Sequence, residues 1–197
     1  MYSWGVGVSG QLGHGDKKTV KEPKKIEELV GVVKVYANAA QSAALTESGE
    51  LYLWGWMKES YFNLKPKLIE ELKGKNILQV AIGATHILIL VSNEFGKSEL
   101  YSFGDSSKGQ LGLSDSIEKS APALIPPFSD HNIKFIAAGE YNSAAITGFF
   151  SFSFSFSFTF SFSLPSPSLF LLSPLPFSFV WEFSFCLGIV SVIHGSP

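Results

Sequence analysis

Up to Gly148 the chain is a succession of short apolar strings, four to seven residues long, separated by turn formers such as Glu47-Ser48-Gly49-Glu50 and Asn93-Glu94-Phe95-Gly96. Tyr2-Ser3-Trp4-Gly5, Leu51-Tyr52-Leu53-Trp54-Gly55 and Leu100-Tyr101-Ser102-Phe103-Gly104 each close on an aromatic residue and a glycine, and their tyrosines stand 50 and 49 residues apart. Three further elements recur between them in constant order. The first is Pro23-Lys24-Lys25-Ile26, Pro66-Lys67-Leu68-Ile69 and Pro122-Ala123-Leu124-Ile125. The second is Val33 to Ala37, Ile77 to Ala81 and Ile133 to Ala137. The third is Gln41 to Thr46, His86 to Val91 and Asn142 to Thr147. Strings of this length, rich in Val, Ile and Tyr and bounded by turns, predict antiparallel strands. Four strands per repeat of this period predict one propeller blade. Small apolar residues at Ala43, Ala44, Ala144 and Ala145 suggest strands crowded near a central axis. Lys24 to Leu29 and Ile69 to Leu72 carry helix formers over stretches too short to stand alone.

Composition divides the chain in two. All 15 basic residues are Lys and precede Gly148, with every acid except Glu182, whereas 13 of the 18 Phe lie from Phe149 onward. Residues 1–148 read as one module, and 149–197 as a Phe/Ser/Pro-rich low-complexity tail that is not a domain. A near-neutral module without Arg argues against a partner held by phosphate contacts, and so against nucleic acid. The basic cluster Lys17, Lys18, Lys21, Lys24 and Lys25 is diluted by Glu22, Glu27 and Glu28 and reads as a solvated loop. A single cysteine, Cys186, excludes an intramolecular disulfide and a Cys-rich zinc site. Met1 to Gly5 has no secretory pattern, and the cytoplasm or nucleus fits best.

Together, Tyr2-Ser3-Trp4-Gly5, Gly10-Gln11-Leu12-Gly13, Pro23 and Leu51-Tyr52-Leu53-Trp54-Gly55 resemble the repeat of the regulator of chromosome condensation family. The marker returns as Gly109-Gln110-Leu111-Gly112. The resemblance covers about three repeats in residues 1–148. It implies an all-β, partial propeller, about three of roughly seven blades, made of two full blades, a leading strand and three quarters of another. The structural repeat residues it marks are Trp4, Gly5, Gly10 to Gly13, Trp54, Gly55, Gly83, His86, Phe103, Gly104, Gly109 to Gly112 and Gly139. The chain departs from the pattern at Asn38, where the other repeats have Gly83 and Gly139, and at Gln41 and Asn142, which stand where repeat two has His86. An Asn at position 38 would keep a left-handed turn. Repeat two has a shortened Met57 to Leu64 linker in place of Gly-Gln-Leu-Gly. The resemblance implies a protein-interaction or scaffold module, or alternatively a guanine-nucleotide exchange factor for a Ran-like small GTPase.

No catalytic, cofactor or metal site is expected, and the chain does not read as an enzyme. Gly5-Val6-Gly7-Val8-Ser9-Gly10 matches a dinucleotide-binding fingerprint, but that motif needs a helix directly after it. Gly13, His14 and Gly15 would break one, and Ser106 replaces the middle glycine in the corresponding loop, so the loop itself does not require it. His14, His86, His131 and His194 lack metal spacing, and the shared role of Gln41, His86 and Asn142 is to satisfy backbone groups. Trp4, Trp54 and Phe103 are expected to fill the space between blades. Trp56 and Tyr61 lie outside the repeat and are candidates for stacking on a ligand. Phe149 to Phe162 alternates Phe with Ser or Thr, a period-two strand or a simple sequence encoded by a short nucleotide repeat. Arriving in mid-blade, it reads as a chain that has left its reading frame or run into non-coding sequence, in preference to an evolved tail. Phe177 to Ile193 is a candidate membrane stretch of 17 residues, interrupted by Glu182, and gives a membrane-attached protein as a second alternative.

Overall fold

The computed structural model describes residues 1–58, 61–128, 131–148 and 189–194. Within them the chain is all-β. β1 (Tyr2–Gly5) and β2 (Val20–Lys25) form a two-stranded sheet. β3 (Val32–Asn38), β4 (Gln41–Thr46), β5 (Leu51–Lys58) and β6 (Tyr61–Leu68) form one antiparallel blade. β7 (Asn76–Ile82), β8 (His86–Ser92), β9 (Ser98–Gly104) and β10 (Lys119–Leu124) form the next. β11 (Asn132–Ala138) and β12 (Asn142–Gly148) begin a third sheet, and β13 (Ile189–His194) pairs with β12. Single 3-10 turns at Glu70–Leu72 and Pro126–Phe128 are the described helical elements.

Blades straddle the sequence repeats: each takes two strands from one repeat and two from the next. The leading element is therefore a pair of strands, β1 and β2, rather than the single strand expected. Where the sequence showed a shortened linker, β5 runs through Met57 to Lys58 and β6 starts at Tyr61, with Lys58 paired to Tyr61. The small residues Ala43, Ala44, Ala144 and Ala145 lie in the second strand of each sheet, flanked on both sides, not at the axis as expected. From sheet to sheet the first strand β3 approaches β7 and β7 approaches β11, which also meets β8 and β9.

Packing follows from a bulge placed identically in three copies. The register of the first strand against the second shifts between Val32 and Lys34, between Ile77 and Gln79, and between Ile133 and Phe135. An extra residue reverses the alternation of faces. Ile77, Val80 and Ile82 can thus all join one core with Leu45, Leu53, Met57 and Phe103, between the two full blades. Ile133 and Ile136 likewise join Leu88, Leu90, Leu100 and Ile125 in a second core. A third unites Ile26, Leu29, Ala44 and Trp54 across the junction with β1 and β2. Ile26, Ile69 and Ile125, which close the Pro-containing elements, are buried and donate their backbone N–H to Met1, Leu51 and Leu100 respectively.

The Phe/Ser alternation at 149–162 lies outside the described residues. Of the candidate membrane stretch only 189–193 is described, and these residues belong to β13. Among the described residues no helix is long and apolar enough to cross a membrane.

Candidate interaction surface

The marker glycines adopt backbones that other residues resist. Gly10 and Gly13 have φ of 74° and 75°, and their counterparts Gly109 and Gly112 have 71° and 68°. Each pair closes two successive turns, with Gly10 N–H donating to Gly7 and Gly13 N–H to Gly10, and likewise Gly109 to Ser106 and Gly112 to Gly109. Inside the turn, Gln11 Oε1 accepts from Ser9 N–H and Gln110 Oε1 from Lys108 N–H, each at 2.9 Å. Leu12 and Leu111 are buried, and their carbonyls accept from Ser3 Oγ at 2.6 Å and Ser102 Oγ at 2.8 Å. In repeat two, where the marker is missing, the buried Leu53 stands in place of that serine.

The marker also pins each loop to the following sheet. The Gln11 carbonyl accepts from Ser42 Oγ at 2.9 Å and from the indole Nε1 of Trp54 at 2.8 Å. The Gln110 carbonyl accepts from Ser143 Oγ at 2.7 Å. Trp54 and Phe103 are 0% and 1% exposed between sheets, as expected of the aromatic position. Trp4 is 59% exposed, because β1 and β2 have no further sheet against their outer face among the described residues.

His86 is wholly buried, with Nε2 at 2.9 Å from Ser143 Oγ. The Ser143 proton is committed to the Gln110 carbonyl, so the imidazole must donate through Nε2, which leaves Nδ1 bare. Burial drops its pKa from 6.5 to about 4, so it is neutral at physiological pH. Gln41 and Asn142 occupy the same place in their sheets, and Gln41 Nε2 donates to the Ala84 carbonyl. The glycine three residues before is explained by this side chain. A Cβ on Gly83 would lie 2.2 Å from His86 Cε1, and one on Gly139 would lie 2.1 Å from Asn142 Oδ1. Neither glycine has a left-handed backbone, and nor does Asn38. The expectation of a left-handed turn there is corrected: the glycine clears room for the neighbouring side chain. Asn38 fits because Gln41 reaches away to the next blade, and its own Nδ2 donates to the Ile82 carbonyl.

Two long loops, residues 6–19 and 105–118, and the turns 39–40, 83–85 and 139–141 lie on one rim. Val6, Val8, Ile117 and Tyr141 are exposed there, beside Trp56 and Phe62 on the β5–β6 hairpin. Lys17 sets its ammonium 4.7 Å from the centre of the Phe62 ring. In the second loop, buried Asp105 accepts from Ser107 Oγ at 2.8 Å and from Gln110 Nε2 at 3.2 Å, whereas the first loop carries exposed Val6 at that position. Trp56 is thus available for stacking, while nothing is described of the Tyr61 side chain. The opposite rim displays Glu27, Glu47, Glu70, Glu71 and Glu94. A shallow groove of about 300 Å³ there is lined by Lys75, Asn93, Glu94, Phe95 and Glu99.

The Gly5–Gly10 string is a turn followed by further turns and β2. Gly7 is nonetheless required in its own copy: a Cβ would meet the Lys18 carbonyl oxygen at 2.1 Å. Ser106 takes the equivalent place buried, with its hydroxyl on the Asp115 carbonyl at 2.8 Å. Ser3 Oγ lies 3.0 Å from His14 Nε2, but its proton goes to the Leu12 carbonyl, as that of Ser102 goes to Leu111. It is a peg, not a nucleophile. Among the described residues no group of His, Cys, Asp and Glu could hold a metal ion.

The pattern of the "Regulator of chromosome condensation (RCC1) repeat" matches residues 1–45 and 97–146. The human E3 ubiquitin-protein ligase HERC2 is 35% identical over 162 residues, which cover 75% of this chain and 3% of that protein. The ultraviolet-B receptor UVR8 of Arabidopsis thaliana is 32% identical over 156 residues, 75% of this chain and 34% of the receptor. Among solved structures, Prp20p from Saccharomyces cerevisiae, described with its binding properties to Gsp1p and histones, superposes with a TM-score of 0.59. The match has 23% identity and covers 75% of this chain and 40% of that one. Yeast RCC1 (Prp20) bound to Kap60 gives 0.58 at 22% identity. The chain thus spans about a third or less of these curated relatives' length.

Proposed function

We propose that this chain, which carries about three repeats of the regulator of chromosome condensation family in residues 1–148, serves as a protein-interaction module. One observation carries the reading. The conserved-in-repeat positions are spent on pegging sheets together, whereas the two long loops of one rim differ in sequence and expose apolar and charged side chains. A rigid set of packed sheets that presents unlike loops is suited to binding another protein. The module is residues 1–148, with 149–197 appended to it, and its place is the cytoplasm or nucleus. We do not read the chain as an enzyme: binding through loops needs no nucleophile or metal, and Ser3 and His86 both have their protons committed to structure.

A finer reading is nucleotide exchange on a Ran-like GTPase. The likeness to Prp20p, whose description names Gsp1p and histones, favours it as a second reading. Two measurements separate the two. Release of a fluorescent guanine nucleotide from such a GTPase should rise on adding the chain if the finer reading is right. Absence of release with retained complex formation, weakened by Trp56→Ala with Phe62→Ala, fits the binding module alone. Failure of these substitutions to affect any complex the chain forms would refute the assignment to this rim.

A further inference from the structure

β13 sits on β12 in a register already used twice in the chain. Asn142 pairs with His194, Ser143 with Ile193 and Ala144 with Val192. The same positions pair Gln41 with Gly55, Ser42 with Trp54 and Ala43 with Leu53 in one full blade. In the other they pair His86 with Gly104, Ile87 with Phe103 and Leu88 with Ser102. Residues 189–194 therefore stand in for a strand that elsewhere ends in an aromatic residue and glycine.

A strand of that kind exists with one side unpaired. β1 pairs with β2 alone among the described strands, and Tyr2 and Trp4 are 58% and 59% exposed. By repeat position β1 and β2 are third and fourth strands, and no first or second strand joins their sheet among the described residues, whereas β11 and β12 are a first and second. The polar detail is complementary too. The Gln11 carbonyl takes both Ser42 Oγ and the Trp54 indole N–H, and the Gln110 carbonyl, already holding Ser143 Oγ, stands where it would take a second indole. An unpaired edge is a template for another strand.

We propose that the outer edge of β12 is a docking site for the β1–β2 pair of a second copy of this chain, and that β13 holds that edge in competition. The mixed sheet would run β11, β12, then β1 and β2 of the other copy, with Ser143 opposite Trp4 and Asn142 opposite Gly5. Trp4 would bury as Trp54 does and donate to the Gln110 carbonyl. Ladder hydrogen bonds are exchanged one for one, so the aromatic burial favours the second copy while tethering favours β13, and concentration decides between them.

The test uses the full chain and two variants. Val192→Pro removes an amide from β13 and forbids it a place in the middle of a ladder. Trp4→Lys changes an exposed side chain and leaves the fold alone. Sedimentation across concentrations should show Val192→Pro associating at concentrations where the wild type is monomeric. Adding Trp4→Lys should weaken that association about tenfold or more. Association indifferent to Trp4→Lys, or none in Val192→Pro with Trp54 still buried by fluorescence, would overturn the proposal. A second measurement needs no proline. In the wild type, amide exchange of β13 should quicken as concentration rises while β12 stays protected, and Trp4→Lys should abolish the effect. Concentration-independent exchange of β13 would equally overturn it.

Discussion

The buried His86 makes stability depend on pH in a way that can be worked out from its surroundings. The ring is wholly buried, its Nε2 proton is given to Ser143, Nδ1 makes no hydrogen bond, and the Asn142 backbone and the Asp105 charge offset only part of the effect of burial. Burial is the largest influence and drops the pKa from 6.5 to about 4. The unfolded chain therefore takes up a proton near 6.5, whereas the folded chain refuses it until about 4. As pH falls, the unfolded state binds more protons than the folded one, so stability is lost across this window and levels off below it. Linkage makes the loss about 1.5 kcal/mol at pH 5.5 and roughly 3 kcal/mol when complete. The variant to compare is His86→Gln, because Gln41 serves the same position without titrating and can still donate to Ser143 Oγ. Urea unfolding of both proteins from neutral pH to about 4.5 isolates the histidine, since the carboxylates titrate alike in each. The wild type should lose about 1–2 kcal/mol more than His86→Gln between pH 7 and 5.5. Parallel pH profiles would mean that the ring is protonated in the folded protein, and the account of its tautomer would fail.

Trp54→Ala should cost about 3–5 kcal/mol, because it empties the junction between the β1–β2 sheet and the first full blade and removes one of the two donors to the Gln11 carbonyl. Trp4→Ala, at the same repeat position, should cost under about 0.5 kcal/mol; equal losses by thermal unfolding would contradict the assigned faces. Gly83→Ala should destabilise by about 1–3 kcal/mol through contact with the His86 ring. That penalty should shrink when His86→Ala is added, and a double mutant whose effects simply add would show that the clearance argument is wrong. Titration with NAD or FAD should give no saturable signal, and saturable binding abolished by Gly7→Ala would reverse the reading of the Gly5–Gly10 string as a turn.

The four-strand repeat, the identity of the aromatic position and the absence of a dinucleotide helix after Gly10 were legible in the chain, because strand period and glycine punctuation are local properties. Even the bulge was present as apolar spacing, with Ile77 and Val80 three apart, although a period of two hides it. Other features needed the fold. Trp4 and Trp54 hold the same repeat position, each two residues after a Tyr and just before a Gly, and only the sheet packed outside one of them separates a buried anchor from an exposed ring. The glycine at 83 looks like a turn residue until the His86 ring is seen folded over it, a contact between side chain and backbone with no periodic signature. Ile189 to His194 is an apolar run that suits a helix as well as a strand. Its pairing with β12 depends on an edge formed more than forty residues earlier. Sequence by itself determined which segments become strands, since that is decided by propensity and alternation along the chain. Tertiary structure decided which faces are covered, which histidine proton is committed and which edge is filled, because each depends on groups brought together from distant positions.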